Sequence, residues 1–226
     1  MRYKKNEEIR RLWIQKTLSG IPAGQRILDA GAGERANQLF CKHLHYVSQD
    51  FCQYDGTGDE NSMHTGTWNT KGIDLICDIT AIPEKENSFD AILCSEVLEH
   101  LPEPTLALDE FARLLRKGGK LILTAPFVSW VHFAPFHYCS GFSRYWYEYH
   151  LPKRGLKIIE LTQNGDWFAL MYQEITRIGG MERRSRSWCW PLAYFLKLLM
   201  IVYFAIRPKK TNPIACFGWH CICEKE

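Results

Sequence analysis

The sequence predicts an α/β fold built on a doubly wound, Rossmann-like sheet, and three observations carry that prediction. Short apolar runs bounded by turn residues recur at 25–30, 45–49, 73–77, 89–94 and 120–124. Stretches with helically spaced apolar residues lie between several of them, the alternation expected of a parallel sheet with right-handed crossovers. The first run, Arg26-Ile27-Leu28-Asp29-Ala30, breaks on Gly31-Ala32-Gly33. A strand that turns sharply on small residues opens a ligand crevice at the carboxyl edge of such a sheet.

Each element has its own signal. Lys4 to Ser19 spaces Ile9, Leu12, Trp13 and Leu18 between charges, as an amphipathic helix does, and Gly20 and Pro22 end it. Gln25 to Ala30 is the first strand, Ala36 to His43 the first crossover helix, and His45 to Gln49 the second strand, ending at Asp50. Phe51 to Gly72 is too polar and too long for an ordinary connection and reads as an irregular excursion. Its Tyr54 and Trp68 either face the crevice or fill the core. Ile73 to Cys77 is the third strand. Phe89 to Cys94 is the fourth, apolar enough to be buried on both faces. Leu106 to Leu115 is a helix whose apolar face is Leu106, Leu108, Phe111, Leu114 and Leu115, closed by Lys117-Gly118-Gly119. Lys120 to Thr124 is the fifth strand, halted by Pro126. Leu156 to Leu161 is a sixth, Asn164-Gly165 a turn, Trp167 to Ile178 a helix, and Ile214 to Cys223 a last strand.

The chain has 226 residues, enough for one domain over 1–226 with a good core. A net charge of +3 argues against a general nucleic-acid binder. The charge is uneven: residues 181–210 hold seven Lys/Arg and one Glu, so the rest is net acidic. Nine cysteines, an odd number scattered through apolar runs, read as reduced and structural in an intracellular protein. Cys221-Ile222-Cys223 lacks metal-type spacing, and no metal is expected. Met1 to Lys16 is charged and does not read as a signal peptide. The expected location is cytoplasmic, at most peripheral to the inner face of the membrane.

The chemistry of the first turn selects its ligand. A dinucleotide usually calls for a third glycine and places its diphosphate at a helix N-terminus. Here Glu34 follows Gly33 and would oppose a phosphate. Asp29 and Glu34 on either side suit a positively charged ligand, and S-adenosylmethionine carries a sulfonium and an α-amino group. Asp50 lies 21 positions after Asp29, the interval at which an acid meets a ribose after one βαβ unit.

Gln25–Glu34, QRILDAGAGE, resembles the first motif of the class I S-adenosylmethionine-dependent methyltransferases. Tyr46–Asp50, Cys77-Asp78-Ile79, Phe89–Leu101 and Leu115–Leu121 match the family in order and spacing. The resemblance covers about residues 20 to 165, and the C-terminal third loosely. It implies a cofactor, S-adenosyl-L-methionine, held by Asp29, Gly31, Gly33, Asp50, Asp78, Ile79, Ser95 and Glu96. Asp78 is implied to face the adenine amino group, and Ile79 to pack on the ring. The N-terminal helix is implied to lie against the cofactor cleft. The last strand is implied to run antiparallel between the fifth and sixth, in an otherwise mostly parallel sheet.

The acceptor side is carried by other residues. His100 follows the fourth strand in a Glu99-His100 pair and serves either as a base or as part of the pocket wall. Residues 126–155 read as an acceptor-side insertion. Within it, Trp130 to His150 holds His132, His137 and His150 with four tyrosines and two tryptophans. His132 or His137 is the expected base and Arg144 the expected binder of an acidic group. Aromatics with a few histidines and Glu148 suit a hydroxylated ring, though Phe142, Tyr145 and Trp146 also have the spacing of core packing.

Residues 181–212 form an apolar and basic helical excursion. Trp188 to Ile206 is nearly continuously apolar, between Arg183, Arg184 and Arg186 and then Arg207, Lys209 and Lys210. Basic residues on both flanks, and the return to a last strand, oppose a spanning helix. A surface contact with an anionic membrane, a homodimer interface or a plain buried helix remain. The expected function is O-methylation of a small-molecule or glycan hydroxyl. The alternatives are N-methylation of a small molecule, an NAD-dependent oxidoreductase and a non-catalytic adenosyl-binding protein.

Overall fold

The computed structural model describes residues 5–59, 62–63, 66–186, 188–207 and 211–226. Lys4, Lys209 and Lys210, assigned above to a helix and a basic flank, lie outside them. The chain runs α1 (Asn6–Ser19), β1 (Arg26–Ala30), β2 (His45–Asp50), β3 (Leu75–Ile76), β4 (Phe89–Ser95), α2 (Pro104–Leu114), β5 (Leu115–Pro126), α3 (Arg144–His150), β6 (Leu156–Asn164), α4 (Trp167–Arg184), α5 (Trp190–Ile206) and β7 (Gly218–Lys225).

The seven strands form one sheet in the order β3-β2-β1-β4-β5-β7-β6. β3 through β5 are parallel, and β7 pairs antiparallel with both β5 and β6. The sheet is therefore mostly parallel with an antiparallel last strand, in the place the resemblance implied. Strand order reverses between β1 and β4, and the crevice outside their carboxyl ends is where such sheets bind ligands.

Both faces of the sheet are covered. Leu28, Ile92, Leu121 and Leu123 pack with Leu108, Phe111 and Leu114 of α2 on one face, all fully buried. Ile27, Ala91, Leu93 and Ile122 pack with Ile14 and Leu18 of α1 on the other. The alternation along β1, β4 and β5 sends successive residues to opposite cores.

Several expected elements differ. No α-helix joins β1 to β2; the segment 36–43 forms only turns and one 3₁₀ turn, Gln38–Phe40. Gly31, Gly33 and Arg35 all have positive φ, so the chain is still turning at residue 35 and too few residues remain for a helix before β2. β3 is two residues long, an edge strand rather than the five-residue run expected. α2 begins at Pro104, whose fixed φ suits a first helical turn, and its Leu106 is exposed while Ala107 is buried in its place. The helix passes directly into β5. Arg116 to Gly119 form an irregularity inside that strand, with the register shifting between Phe89 and Ala91. α3 was not foreseen. The last strand starts at Gly218, four residues late.

Candidate active site

β1 ends under the glycine turn, and the turn is tied down by β2. Gly31 N–H donates to Gln49 Oε1 (3.1 Å), Ala32 N–H to Gln49 O (2.8 Å) and Gly33 N–H to Asp50 Oδ2 (2.9 Å). Gln49 is 1% exposed and also donates through Nε2 to Cys77 O, bracing three loops at the crevice floor. Sequence reasoning expected the glycines to leave bare backbone for a ligand. The structure gives them a second duty beside lining the cleft. A Cβ on Gly31 would lie 2.5 Å from Val97 Cγ2, and one on Gly33 would lie 2.5 Å from Trp68 Cζ2. They admit neighbouring side chains and positive φ, while still lining the cleft.

Asp29 sits beneath the turn rather than on the cleft wall. It is 2% exposed, accepts Tyr46 Oη–H at 2.7 Å and also bonds the Asn37 side chain. Burial raises its pKa to about 6 against those hydrogen bonds, with the nearby Asp50 charge adding a little. Asp50 does face the cleft. Each of its oxygens already accepts one backbone N–H, from Gly33 and from Cys52 (2.8 Å). A carboxylate oxygen takes two such bonds, so one acceptor position per oxygen is left for a diol.

Asp78 lines the cleft from an exposed position, with Oδ1 accepting Thr80 N–H and Oγ–H, both at 2.8 Å. Ile79 beside it is buried. At the end of β4, Ser95 Oγ and Thr124 Oγ1 are 2.9 Å apart, and Thr124 donates to Glu96 Oε1. Arg10 of α1 pairs with Glu96 Oε2 at 2.8 Å. α1 thus lies against the cleft, and Arg10 is a contributor that surface-helix spacing alone could not reveal.

The other end of the cleft is capped by both irregular segments. Met63 bridges to His132, with Met63 N–H donating to Val131 O (3.0 Å). Tyr54, tilted, and Trp68, edge-on, pack against Phe133 beneath, with centroids 4.4 and 4.9 Å from it. Tyr138 and Cys139 N–H both donate to Glu99 O, which fastens the 130–140 loop to the end of β4.

That fastening brings three sequence-distant histidines together. Ring centroids of His100 and His132 are 4.6 Å apart, of His132 and His137 4.9 Å, and of His100 and His137 5.8 Å. His100 Nδ1 meets Phe136 O and His132 Nδ1 meets Trp130 O (2.8 Å). A carbonyl only accepts, so both Nδ1 atoms carry protons, which in a neutral ring leaves the lone pair on Nε2. Burial, then the neighbouring His132, lowers the His100 pKa to about 3. That makes His100 a weak base and assigns it to the pocket wall. Burial and His132 also lower His137. His137 is not on the cleft surface, whereas His100 and His132 are.

Glu99 is the group sequence reasoning passed over. It is fully buried, its pKa is raised well above the carboxylate range by burial and by Glu96, and neither oxygen has a hydrogen-bond partner among the described residues. Its Oε1 lies 3.8 Å from His100 Nε2 and 4.0 Å from His132 Nε2. An acid inside the otherwise apolar run Val97-Leu98-Glu99 was the available signal.

Two other expectations move. Arg144 pairs with Glu148 at 2.6 Å on the exposed side of α3 and is not on the cleft wall, so neither serves the acceptor. His150 packs, tilted, against Trp146 on the same helix, away from the three clustered histidines. α4 instead sends Gln173 and Arg177 to the cleft, Arg177 lying 5.1 Å from the Trp130 ring.

The methyltransferase-domain family matches residues 28–123, from β1 into β5. Residues 28–123 are thus similar to a methyltransferase domain. The chain's curated relatives include the demethylmenaquinone methyltransferase of Clavibacter sepedonicus, 31% identical over 124 residues, which are 52% of this chain and 47% of the relative. The ubiquinone biosynthesis O-methyltransferase of Xanthomonas axonopodis is 32% identical over 109 residues, 46% of this chain and 44% of the relative. The chain therefore spans about half the length of these relatives. Among solved structures, a phosphoethanolamine N-methyltransferase of Haemonchus contortus in complex with S-adenosyl-L-methionine superposes with TM-score 0.55 at 15% identity, covering 96% of this chain and 52% of that one. That likeness speaks to the fold. The missing crossover helix between β1 and β2 removes the helix N-terminus a dinucleotide diphosphate requires, and the turn's own N–H groups are already used.

Proposed function

We propose that the chain transfers a methyl group from S-adenosyl-L-methionine to a hydroxyl of a small-molecule or glycan acceptor. The observation that carries this reading is one continuous cleft of about 1330 Å³ with two chemically different ends. That exceeds the roughly 300–1,000 Å³ of a single small-molecule pocket and leaves room for two ligands side by side. The nucleoside occupies the end lined by Gly31, Gly33, Asp50, Asp78, Ile79, Ser95 and Glu96, with Asp29 supporting the turn from below. The acceptor occupies the end lined by His100, His132 and Phe133.

The acceptor oxygen attacks the methyl carbon, the carbon–sulfur bond breaks, and the sulfonium leaves as a neutral thioether. The protein supplies alignment and water exclusion. The acceptor proton goes to Nε2 of His132, a cleft-lining histidine whose Nδ1 is held by Trp130 O. The relatives named for quinone O-methylation support a hydroxyl acceptor. The superposed enzyme named for N-methylation keeps an amine acceptor as the second reading.

No helix among the described residues is long and apolar enough to cross a membrane. α5 nevertheless exposes Leu192, Phe195, Leu196, Leu198, Leu199 and Val202, which supports a surface contact over a plain buried helix. With Arg183, Arg184 and Arg186 exposed just before it, α5 is proposed to lie on an anionic lipid surface. It packs on α4 beside the cleft, through Tyr194 on Gly179 and Phe204 on Tyr172. Incubation with methyl-tritiated S-adenosylmethionine and a cell extract tests the reading. Label in an alkali-stable ether of a small molecule or glycan is expected; absence of transfer, or label only on amines, overturns the hydroxyl assignment.

A further inference from the structure

We propose that His100, His132 and His137, with the Glu99 carboxylate, bind a divalent metal ion of the zinc class. One ligand nitrogen from each histidine lies within 4.8 Å of the other two. Glu99 Oε1 stands 3.8 Å from one of those nitrogens and 4.0 Å from another. Tetrahedral bonds of about 2.0–2.2 Å set neighbouring ligand atoms roughly 3.4 Å apart. The three histidine nitrogens therefore need to draw together by up to roughly 1.4 Å, with Glu99 standing beside His100 and His132 and outside the histidine group itself.

Three features identify this as a built site and not a chance cluster. The Nε2 lone pairs of His100 and His132 are oriented by hydrogen bonds from the opposite ring nitrogen to backbone carbonyls, the arrangement that fixes metal-ligating imidazoles. Both His137 nitrogens are buried and without a hydrogen-bond partner among the described residues. Both Glu99 oxygens are in the same condition. Leaving a buried carboxylate and imidazole unsatisfied is costly, and one cation would satisfy them together. A proton shared between Glu99 and a histidine serves less well, because 3.8 and 4.0 Å are too long for a hydrogen bond.

Three imidazoles and one carboxylate favour zinc among the common divalent ions and disfavour magnesium or calcium, which select oxygen. The ion would tie the 130–140 loop to the end of β4 and set the floor of the acceptor end. While it is bound, His132 Nε2 is a ligand and not a proton acceptor. Zinc binding and proton acceptance at His132 Nε2 exclude each other, so zinc there would rule out His132 as the base while leaving methyl transfer itself testable by label transfer.

The test is titration of the chelator-treated full chain with zinc chloride by calorimetry, with metal content measured after gel filtration. One equivalent is expected at a dissociation constant below 1 μM, and cobalt(II) substitution is expected to give visible absorption of a tetrahedral centre. Glu99→Gln and His137→Ala are each expected to weaken zinc at least tenfold. Binding of S-adenosylmethionine within threefold of the parent reports that each variant has folded. Absence of stoichiometric zinc binding by the parent overturns the proposal, and so does zinc affinity unchanged in folded His100→Ala and His137→Ala, which would move the metal to cysteines.

Discussion

The Tyr46 hydroxyl donates to Asp29 Oδ2 at 2.7 Å beneath the glycine turn, in a place that solvent does not reach. This buried pair, and not a ligand contact, accounts for the acid at the end of β1. The ionised carboxylate is disfavoured there, and its pKa rises from 3.8 to about 6. A raised folded-state pKa gives stability that is complete below pH 3.8 and lost as pH climbs through 6. Asp29→Asn should therefore gain on the parent by roughly 3 kcal/mol between pH 3.8 and pH 7. Urea unfolding at several pH values across that window checks it; a difference independent of pH would contradict the burial argument.

Gly31→Ala places a methyl against Val97 in a backbone conformation with φ +72°. A loss of roughly 1–3 kcal/mol in unfolding free energy is expected from chemical denaturation. Pairing it with Val97→Ala should recover part of the loss, since the contact is direct.

Asp50→Ala should raise the dissociation constant for S-adenosylmethionine at least tenfold by calorimetry. It removes the acceptor oxygens facing the cleft and also frees the Gly33 and Cys52 N–H groups they hold. Unchanged affinity would place the ribose elsewhere.

His132→Ala should lower kcat about 100-fold or more while cofactor affinity stays within threefold, the mark of a group acting on the acceptor. A loss confined to cofactor affinity would assign His132 to the other end of the cleft.

Leu198→Glu combined with Leu199→Glu should abolish co-flotation with vesicles containing phosphatidylglycerol, with little effect on stability because both residues are exposed. If the parent instead elutes as a dimer and the double variant as a monomer, α5 is an interface between two copies.

The sequence by itself determined the sheet and the place of the cleft at its carboxyl edge. Period-two burial, breaks at glycine and proline, and the Asp29-to-Asp50 interval are local signals, each readable from a few adjacent residues. Tertiary structure alone decided the rest. Positive φ at Arg35 cancelled the crossover helix, Val97 and Trp68 filled the space above the glycines, and Arg144 turned outward to Glu148. The convergence of Glu99 with His100, His132 and His137 depends on backbone bonds between a loop and a strand end more than thirty residues apart in places. Such a contact has no periodicity and no fixed interval in the chain, so only folding could bring it into view.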